Sequence, residues 1–438
     1  MFEANIQGFD EQLELQLGQP DKRPQVHQAT STTFSDNMSL PVHRWFRFSA
    51  GFSATWAESV IAESGCQKIV RVLDPFAGSG TTLLAAENVG VESYGLEAHP
   101  FLCRIARAKL ARRTDPGAYR DCVRRLLSHA SHLTPSIAEY PILIHKCYDG
   151  ESLARLDVLR RASAHVSDGS PASELAWLTL VGILRKVSRA NTAQWQYVLP
   201  TKSKKRPEEP FSAFQHLAEI VYHDMCISNR VVGPSPHFDQ NDARICGSVP
   251  DGCVNLVITS PPYPNNFDYA DATRLEMSFF QEVSNWADLQ NTVRHHLIRS
   301  CSQHVPENSL QLDEILSRPE LEPIRSEIAE VCHELARVRL DHGGRKTYHL
   351  MVACYFLDLA QVWGALRRVC ASPSRLCFVI GDSAPYGVYV PVAEWLAKLA
   401  LASGFTTHRF ERTRARNVKW KNRKHRVPLC EGRLWIEG

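Results

Sequence analysis

KIVRVLDPFAGSGTTLLAAENVGVESYGLEA, residues 68–98, decides the fold. KIVRVLD (Lys68–Asp74) is a short β-branched run, PFAGSGTT is a glycine-rich turn, and LLAAENVG reads as a helix that ends at Gly90. VESYGLEA (Val91–Ala98) is the next strand, and HPFLCRIARAKLARR the next helix. A strand, glycine turn, helix and strand within about thirty residues predict a doubly wound parallel sheet of the α/β, Rossmann-like kind. The turn also predicts a ligand site. Asp74 closes the strand, Gly78 and Gly80 let a ligand approach the backbone, and the following helix presents free N–H groups. A P-loop needs Lys after its last glycine, where this chain has Thr81, and a dinucleotide fingerprint needs a third glycine that is absent. An adenosine-containing cofactor without a phosphate tail remains, and Glu97, ending the second strand, stands where a carboxylate accepts bonds from ribose hydroxyls. The alternative is a plain glycine turn with a surface Glu.

A second stretch is more specific. VNLVITS reads as a buried strand and runs into Thr259-Ser260-Pro261-Pro262-Tyr263. Two prolines donate no hydrogen bond and cannot continue a central strand, so their carbonyls are free to face a ligand from a rigid turn. Ser260 adds a side-chain oxygen and Tyr263 a flat apolar face. That combination suits a planar ring bearing an exocyclic amine, and stacking on an aromatic helps to hold a base out of a duplex. Taken alone, the motif also fits a proline-rich strand exit with a core tyrosine.

Together the two motifs resemble the amino-methyltransferases of DNA, which use S-adenosylmethionine to methylate N4 of cytosine or N6 of adenine. DPFAGSGTT is similar to that family's cofactor motif and TSPPY to its catalytic motif, the Ser form being more typical of the cytosine-N4 members. HRWFRFSAGFS sits where the family has an N-terminal cofactor-covering segment. GLEAHP, NDARICGSVPDGCVNLVITSPPYPNNFDY and YFLDLAQVWGALRRV…CFVIGDS extend the resemblance to roughly half of the chain. The resemblance implies a Rossmann-like methyltransferase sheet with two mainly helical insertions. It places Asp74, Phe76, Gly78, Ser79, Gly80 and Thr81 around the cofactor, the methionine end lying over the loop. Glu97 would take the ribose and Asp242 the adenine amine, with Phe52 and Ser53 in the covering segment. Ser260, Pro261, Pro262 and Tyr263 would hold the target base. The cofactor motif precedes the catalytic one, so the chain falls outside the circularly permuted members. Because the sulfonium methyl is already activated, the chemistry implies no metal and no covalent intermediate. Acceptors at Ser260 and Pro261 would orient the amine lone pair and stabilise the charge that develops on nitrogen. No cysteine lies in a Pro-Cys context near the motif, against thiol-dependent C5 methylation.

The rest of the chain is organised around these motifs. Residues 1–40 read as a polar arm and 41–115 as the cofactor half of the core. Residues 116–235 read as a helical insertion, 236–263 as the catalytic strand, 264–345 as a second helical insertion for target recognition, and 346–438 as the C-terminal core. HRFERTRARNVKWKNRKHR (His408–Arg426) carries nine Lys or Arg and one acid. Such a run neutralises several phosphates, and Arg414, Arg416, Lys419, Lys421, Arg423 and Lys424 are the DNA-contact candidates. Lys202, Lys204, Lys205 and Arg206 form a weaker second patch. Trp45, Phe46 and Phe48 read either as core or as pocket lining. The adjacent His295 and His296 lack a spaced carboxylate partner, so no metal site is expected.

Composition narrows the classes further. The 438 residues, 44% hydrophobic and 22% charged with net charge +3, describe an ordinary globular protein. No apolar run approaches the roughly 18 residues of a membrane span, and the N-terminus lacks the flanks of a secretory signal. Thirteen scattered cysteines without a CxxC pair favour a reducing compartment, and a bacterial or archaeal cytoplasm is expected. The partner expected is double-stranded DNA, with a cognate restriction endonuclease as a further one and no membrane. Methylation of adenine N6, of RNA or of a protein glutamine is the rival chemistry. A non-catalytic DNA-binding module that keeps the fold is the rival class.

Overall fold

The computed structural model describes residues 34–48, 51–65, 70–192, 197–198, 207–231, 233–305, 310–344, 346–416 and 427–438. Most of the polar arm, the Lys202–Arg206 patch and Lys419, Lys421, Arg423 and Lys424 lie outside them. Residues 32–438 belong to one compact unit.

Helix α1 (Ala54–Gly65) leads into β1 (Arg71–Asp74), α2 (Thr81–Asn88) and β2 (Glu92–Leu96), the predicted strand–turn–helix–strand. The two strands run parallel, with Val72 opposite Ser93 and Asp74 opposite Gly95. Gly95 lets α2 lie close on the sheet, since a Cβ there would stand 2.5 Å from Leu83 Cδ1.

The first insertion follows α3 (Pro100–Leu110) and comprises α4 (Pro116–Ala130), α5 (Ile142–Cys147), α6 (Gly150–Val166), α7 (Pro171–Ile183) and α8 (Pro210–Ser228). The starts of α4, α7 and α8 share one device. A side chain at Asp115, Ser170 or Glu209 accepts the first free N–H groups, and a proline occupies the first helical turn, where its missing N–H costs nothing. A small antiparallel hairpin, β3 (Asn191–Thr192) with β4 (Tyr197–Val198), interrupts the mainly helical block. The insertion packs on the N-terminal segment through a buried carboxylate. Asp224 accepts bonds from Val42 N (3.1 Å), Arg44 Nε (3.0 Å) and Trp45 Nε1 (2.8 Å). Trp45 and Phe46 are therefore core residues.

The remaining strands are β5 (His237–Asp239), β6 (Val254–Thr259), β7 (Cys370–Gly381), β8 (Thr407–Arg416) and β9 (Leu429–Glu437), and the sheet order is β5-β2-β1-β6-β7-β9-β8. Strands β5 through β7 in that order are parallel, and β9 runs antiparallel to both β7 and β8. The chain moves one way from β1 and returns on its other side as β6. The crevice outside the carboxyl ends of β1 and β6 is thus the switch point at which open α/β sheets bind ligands. This is the expected Rossmann-like α/β sheet with mainly helical insertions.

The second insertion contributes α9 (Arg274–Phe279), α10 (Asp288–Thr292), α11 (Leu312–Leu316) and α12 (Arg325–Asp341), followed by α13 (Tyr348–Val369) and α14 (Val392–Ala402). By length and composition α13 is apolar enough to cross a membrane, against the expectation that no such run exists. Its apolar surface goes into the core instead: most of it is buried, and Trp363 stacks on Phe378 of β7 with ring centroids 4.3 Å apart.

Candidate active site

A cleft of about 800 Å³, open to solvent, lies at the switch point. Phe76, Gly78, Ser79 and Thr81 of the glycine loop line it, with Glu97 and His99 after β2, Asp242 after β5, Ser260 and Pro262 after β6, and Phe52 from the N-terminal segment. Residues as far apart in the chain as Phe52 and Ser260, 208 positions, therefore meet around one space.

The loop owes its shape to its glycines. Gly78 and Gly80 have φ of 54° and 87°, the left-handed region that other residues rarely enter. Ala77 N donates to Leu96 O (2.9 Å), and Gly80 O receives Leu84 N as the first turn of α2 begins. Phe48 lies directly on Gly78, where a Cβ would stand 2.9 Å from its ring. Of the three aromatics weighed as core or pocket, Phe48 lines the cleft.

Two acids behave differently from one another. Asp74 does not face the cleft. Its carboxylate lies between the strands, accepting bonds from Thr82 Oγ1 and Thr259 Oγ1 (both 2.6 Å) and from Phe76 N (3.1 Å). Burial pushes its pKa up to about 6 despite those bonds. Three of its roughly four acceptor sites are used by these donors, and the bond from Thr259 ties β1 to the end of β6 beside the glycine loop. Glu97 does face the cleft. It accepts Gly78 N at 2.7 Å and His99 N at 2.8 Å, and burial, with a smaller push from the Asp74 charge, raises its pKa to about 7. A carboxylate has about four lone-pair sites, and with the Ala98 N–H as a further backbone donor one remains for a ligand.

Asp242 lines the cleft with its carboxylate turned onto Arg244, whose Nη2 lies 2.7 Å away. Ser53 points elsewhere: its hydroxyl meets Thr55 Oγ1 and the Trp56 N–H at the start of α1. Gly80, Pro261 and Tyr263 stand just outside the cleft lining.

At the catalytic corner, Ser260 Oγ donates its proton to the Val379 carbonyl of β7 (3.1 Å). The hydroxyl is thereby committed as a donor, with the Tyr263 side chain as a second hydrogen-bond neighbour, and the lone-pair capacity that remains is that of an acceptor. Tyr263 is covered on one face by the Arg416 guanidinium, 5.3 Å from the ring centroid. The antiparallel pairing places Gly381 opposite Glu431 and Arg416 opposite Leu429, so the basic strand β8 ends at the same sheet edge as Ser260. There Arg414 pairs with Glu431 at 2.9 Å.

Sequence reasoning missed several lining residues, among them His99, Tyr269 and His296. His99 is buried and held neutral, its pKa lowered to about 3 by burial, with Nε2 2.8 Å from Thr273 Oγ1 and Nδ1 unpartnered. The GLEAHP segment could have flagged it, because the residue two beyond a cleft carboxylate caps the next helix. Among the described residues, one cluster has ligand atoms close enough for a metal: Asp268, Cys301 and His304. Its carboxylate already pairs with Arg294 (2.7 Å) and His304 (3.1 Å), which outweigh burial and hold it at about 2. That charge is internally compensated.

Residues 19–108 match the family described as DNA methylase, of the N6/N4 type. The Type II methyltransferase M.BsoBI of Geobacillus stearothermophilus is 24% identical, over 85% of this chain and 80% of its own. M.AvaI of Nostoc sp., also a Type II methyltransferase, is 25% identical over 93% and 88%. M.MjaII of Methanocaldococcus jannaschii is 49% identical across 39 residues only. No solved structure matches. The glycine loop and Ser260 and Pro262 of the Ser-Pro-Pro-Tyr corner line one cleft, and these likenesses to DNA methylases of the N6/N4 type and to Type II methyltransferases support an N4/N6 DNA amino-methyltransferase.

Proposed function

We propose that the protein transfers a methyl group from S-adenosylmethionine to N4 of cytosine at a specific site in duplex DNA. We further propose that it is the cytoplasmic modification partner of a restriction endonuclease. The observation that carries this reading is the Ser260 hydroxyl, parked on the Val379 carbonyl so that Oγ offers only lone pairs to the cleft. The Ser form of the motif leans toward cytosine, and the Type II relatives support a restriction–modification setting.

The cleft fits the cofactor on two counts. Gly78 leaves open a cradle that a side chain would strain and crowd, and Glu97 is a buried acid with acceptor capacity to spare. Gly78, Ser79 and Thr81 would hold the amino-acid end, Glu97 the ribose hydroxyls and Asp242 the adenine amine, with Phe52 and Phe48 excluding water. The cofactor, when bound, supplies a methyl on a sulfonium that needs no further activation. Ser260 Oγ and the Pro261 carbonyl accept the two N–H bonds of the target amine, aim its lone pair, and stabilise the positive charge that grows on nitrogen. Water then carries the released proton away. Arg414 and Arg416, at the same sheet edge, would meet backbone phosphates.

Incubation with labelled cofactor and unmethylated genomic DNA, then digestion to nucleosides and mass analysis, tests the reading. N4-methyldeoxycytidine is expected. N6-methyldeoxyadenosine would overturn the choice of base, and label in RNA or protein alone would overturn the choice of substrate.

A further inference from the structure

One face of the Tyr263 ring is already occupied. Arg416 ends β8, and its guanidinium carbon sits over the Tyr263 ring at 5.3 Å from the centroid, within the range of a cation–π contact. Its Nη1 donates to the Asp382 carbonyl at 2.8 Å, which fixes the plane of the group. Gly381 makes room for it: a Cβ there would stand 2.7 Å from Arg416 Nη1 and 3.2 Å from Tyr263 Cε2. The nearby carboxylates are committed elsewhere. Glu431 pairs with Arg414, and Asp382 Oδ2 accepts from Cys430 N. Among the described residues, then, the Arg416 guanidinium has no carboxylate partner, only a ring face and one carbonyl. A planar cation held this way is the protein's nearest imitation of a flat heterocycle bearing N–H donors.

We propose that Arg416 is a placeholder for the target base: without DNA its guanidinium fills the stacking position on Tyr263, and on DNA binding it moves to a backbone phosphate as the base takes its place. This rests on the methyltransferase reading and adds to it a positioning residue whose two contacts exclude each other. A phosphate offers a charge-assisted, bidentate partner that the ring and the carbonyl cannot match. Base entry and backbone contact are then exchanged at one side chain, and an empty corner is never exposed.

The exchange gives a signature of opposite signs. Binding of 2′-deoxycytidine and of 2′-deoxyadenosine to the protein loaded with S-adenosylhomocysteine is measured by calorimetry, alongside duplex binding over a salt series. In Arg416→Ala the nucleoside no longer competes with the guanidinium, so the preferred one binds about two- to thirtyfold more tightly, the factor that a cation–π contact represents. Duplex binding by the same variant weakens, and the slope of log affinity against log salt becomes shallower by about 0.9, one phosphate's worth. Arg416→Lys keeps the charge without the plane, so it retains the wild-type salt slope and gives an intermediate nucleoside affinity; it also serves if the Ala variant does not fold. A merely structural arginine predicts weaker binding of both ligands, and a simple phosphate contact predicts unchanged nucleoside binding. Either result, including no nucleoside binding by any variant, overturns the proposal. Failure of the underlying reading looks different: the wild type would transfer no methyl to any DNA.

Discussion

Replacing Glu97 by Gln isolates a cleft-facing acid whose charge the fold itself controls. Glu97 is 8% exposed, and burial, aided by Asp74, lifts its pKa from 4.5 to about 7. That gap corresponds to about 3 kcal/mol of preference for the protonated form. The sign follows from linkage. A raised carboxyl pKa contributes stability that is full below about 4.5 and is lost as pH rises through about 7. Ribose hydroxyls donate to the ionised form, so cofactor binding draws the proton off, and affinity rises over the same window. With a pKa of about 7, roughly a tenth of the molecules carry ionised Glu97 at pH 6 and roughly nine-tenths at pH 8. Cofactor affinity should therefore increase about tenfold between those values in the wild type, relative to Glu97→Gln. The variant cancels the titration of the cofactor's own amine, so the quantity read is the ratio of the two dissociation constants by calorimetry. Gln also turns an N–H₂ toward the Gly78 or His99 N–H, so the variant binds less tightly at every pH, and it adds no titration of its own at this position. A ratio that does not change between pH 6 and 8 would refute the assignment of Glu97 to the ribose.

Three further outcomes follow from the same geometry. Ser260→Ala removes the acceptor at the catalytic corner and should lower kcat about 10²-fold, with cofactor affinity unchanged by calorimetry. Gly78→Ala forces a left-handed residue against Phe48 and should weaken cofactor binding while leaving duplex binding intact, as read by separate titrations. Asp224→Ala strips the shared acceptor of Val42, Arg44 and Trp45 from a buried position, and denaturant unfolding should show a loss of about 3–5 kcal/mol.

The sequence made the centre of the fold legible and left its margins obscure, for a physical reason. β1 and β6 are buried along most of their length, so their apolar runs and the glycines or prolines that bound them carry a clear signal. The edge strands β5 and β8 are largely exposed and show no such pattern; THRFERTRAR reads as a charge run although it forms ten residues of strand. The motifs located the site but not the direction of each side chain. Asp74 and Glu97 both end strands, yet only contacts from distant Thr82 and Thr259 reveal that one is a clamp and the other faces ligand. Nor could the motif show that Tyr263 is already covered, since Arg416 lies 153 residues further on in the chain. The apolar helix α13 shows the converse failure, because composition alone does not distinguish a core helix from a spanning one.

The central claim, that a methyl donor and an extruded base share the space between the glycine loop and the diproline corner, is tested most directly by a crystal structure with S-adenosylhomocysteine bound. The account predicts ribose hydroxyls on the Glu97 carboxylate and the sulfur directed at Ser260. A ligand seated elsewhere, or one whose sulfur points away from that corner, would contradict it.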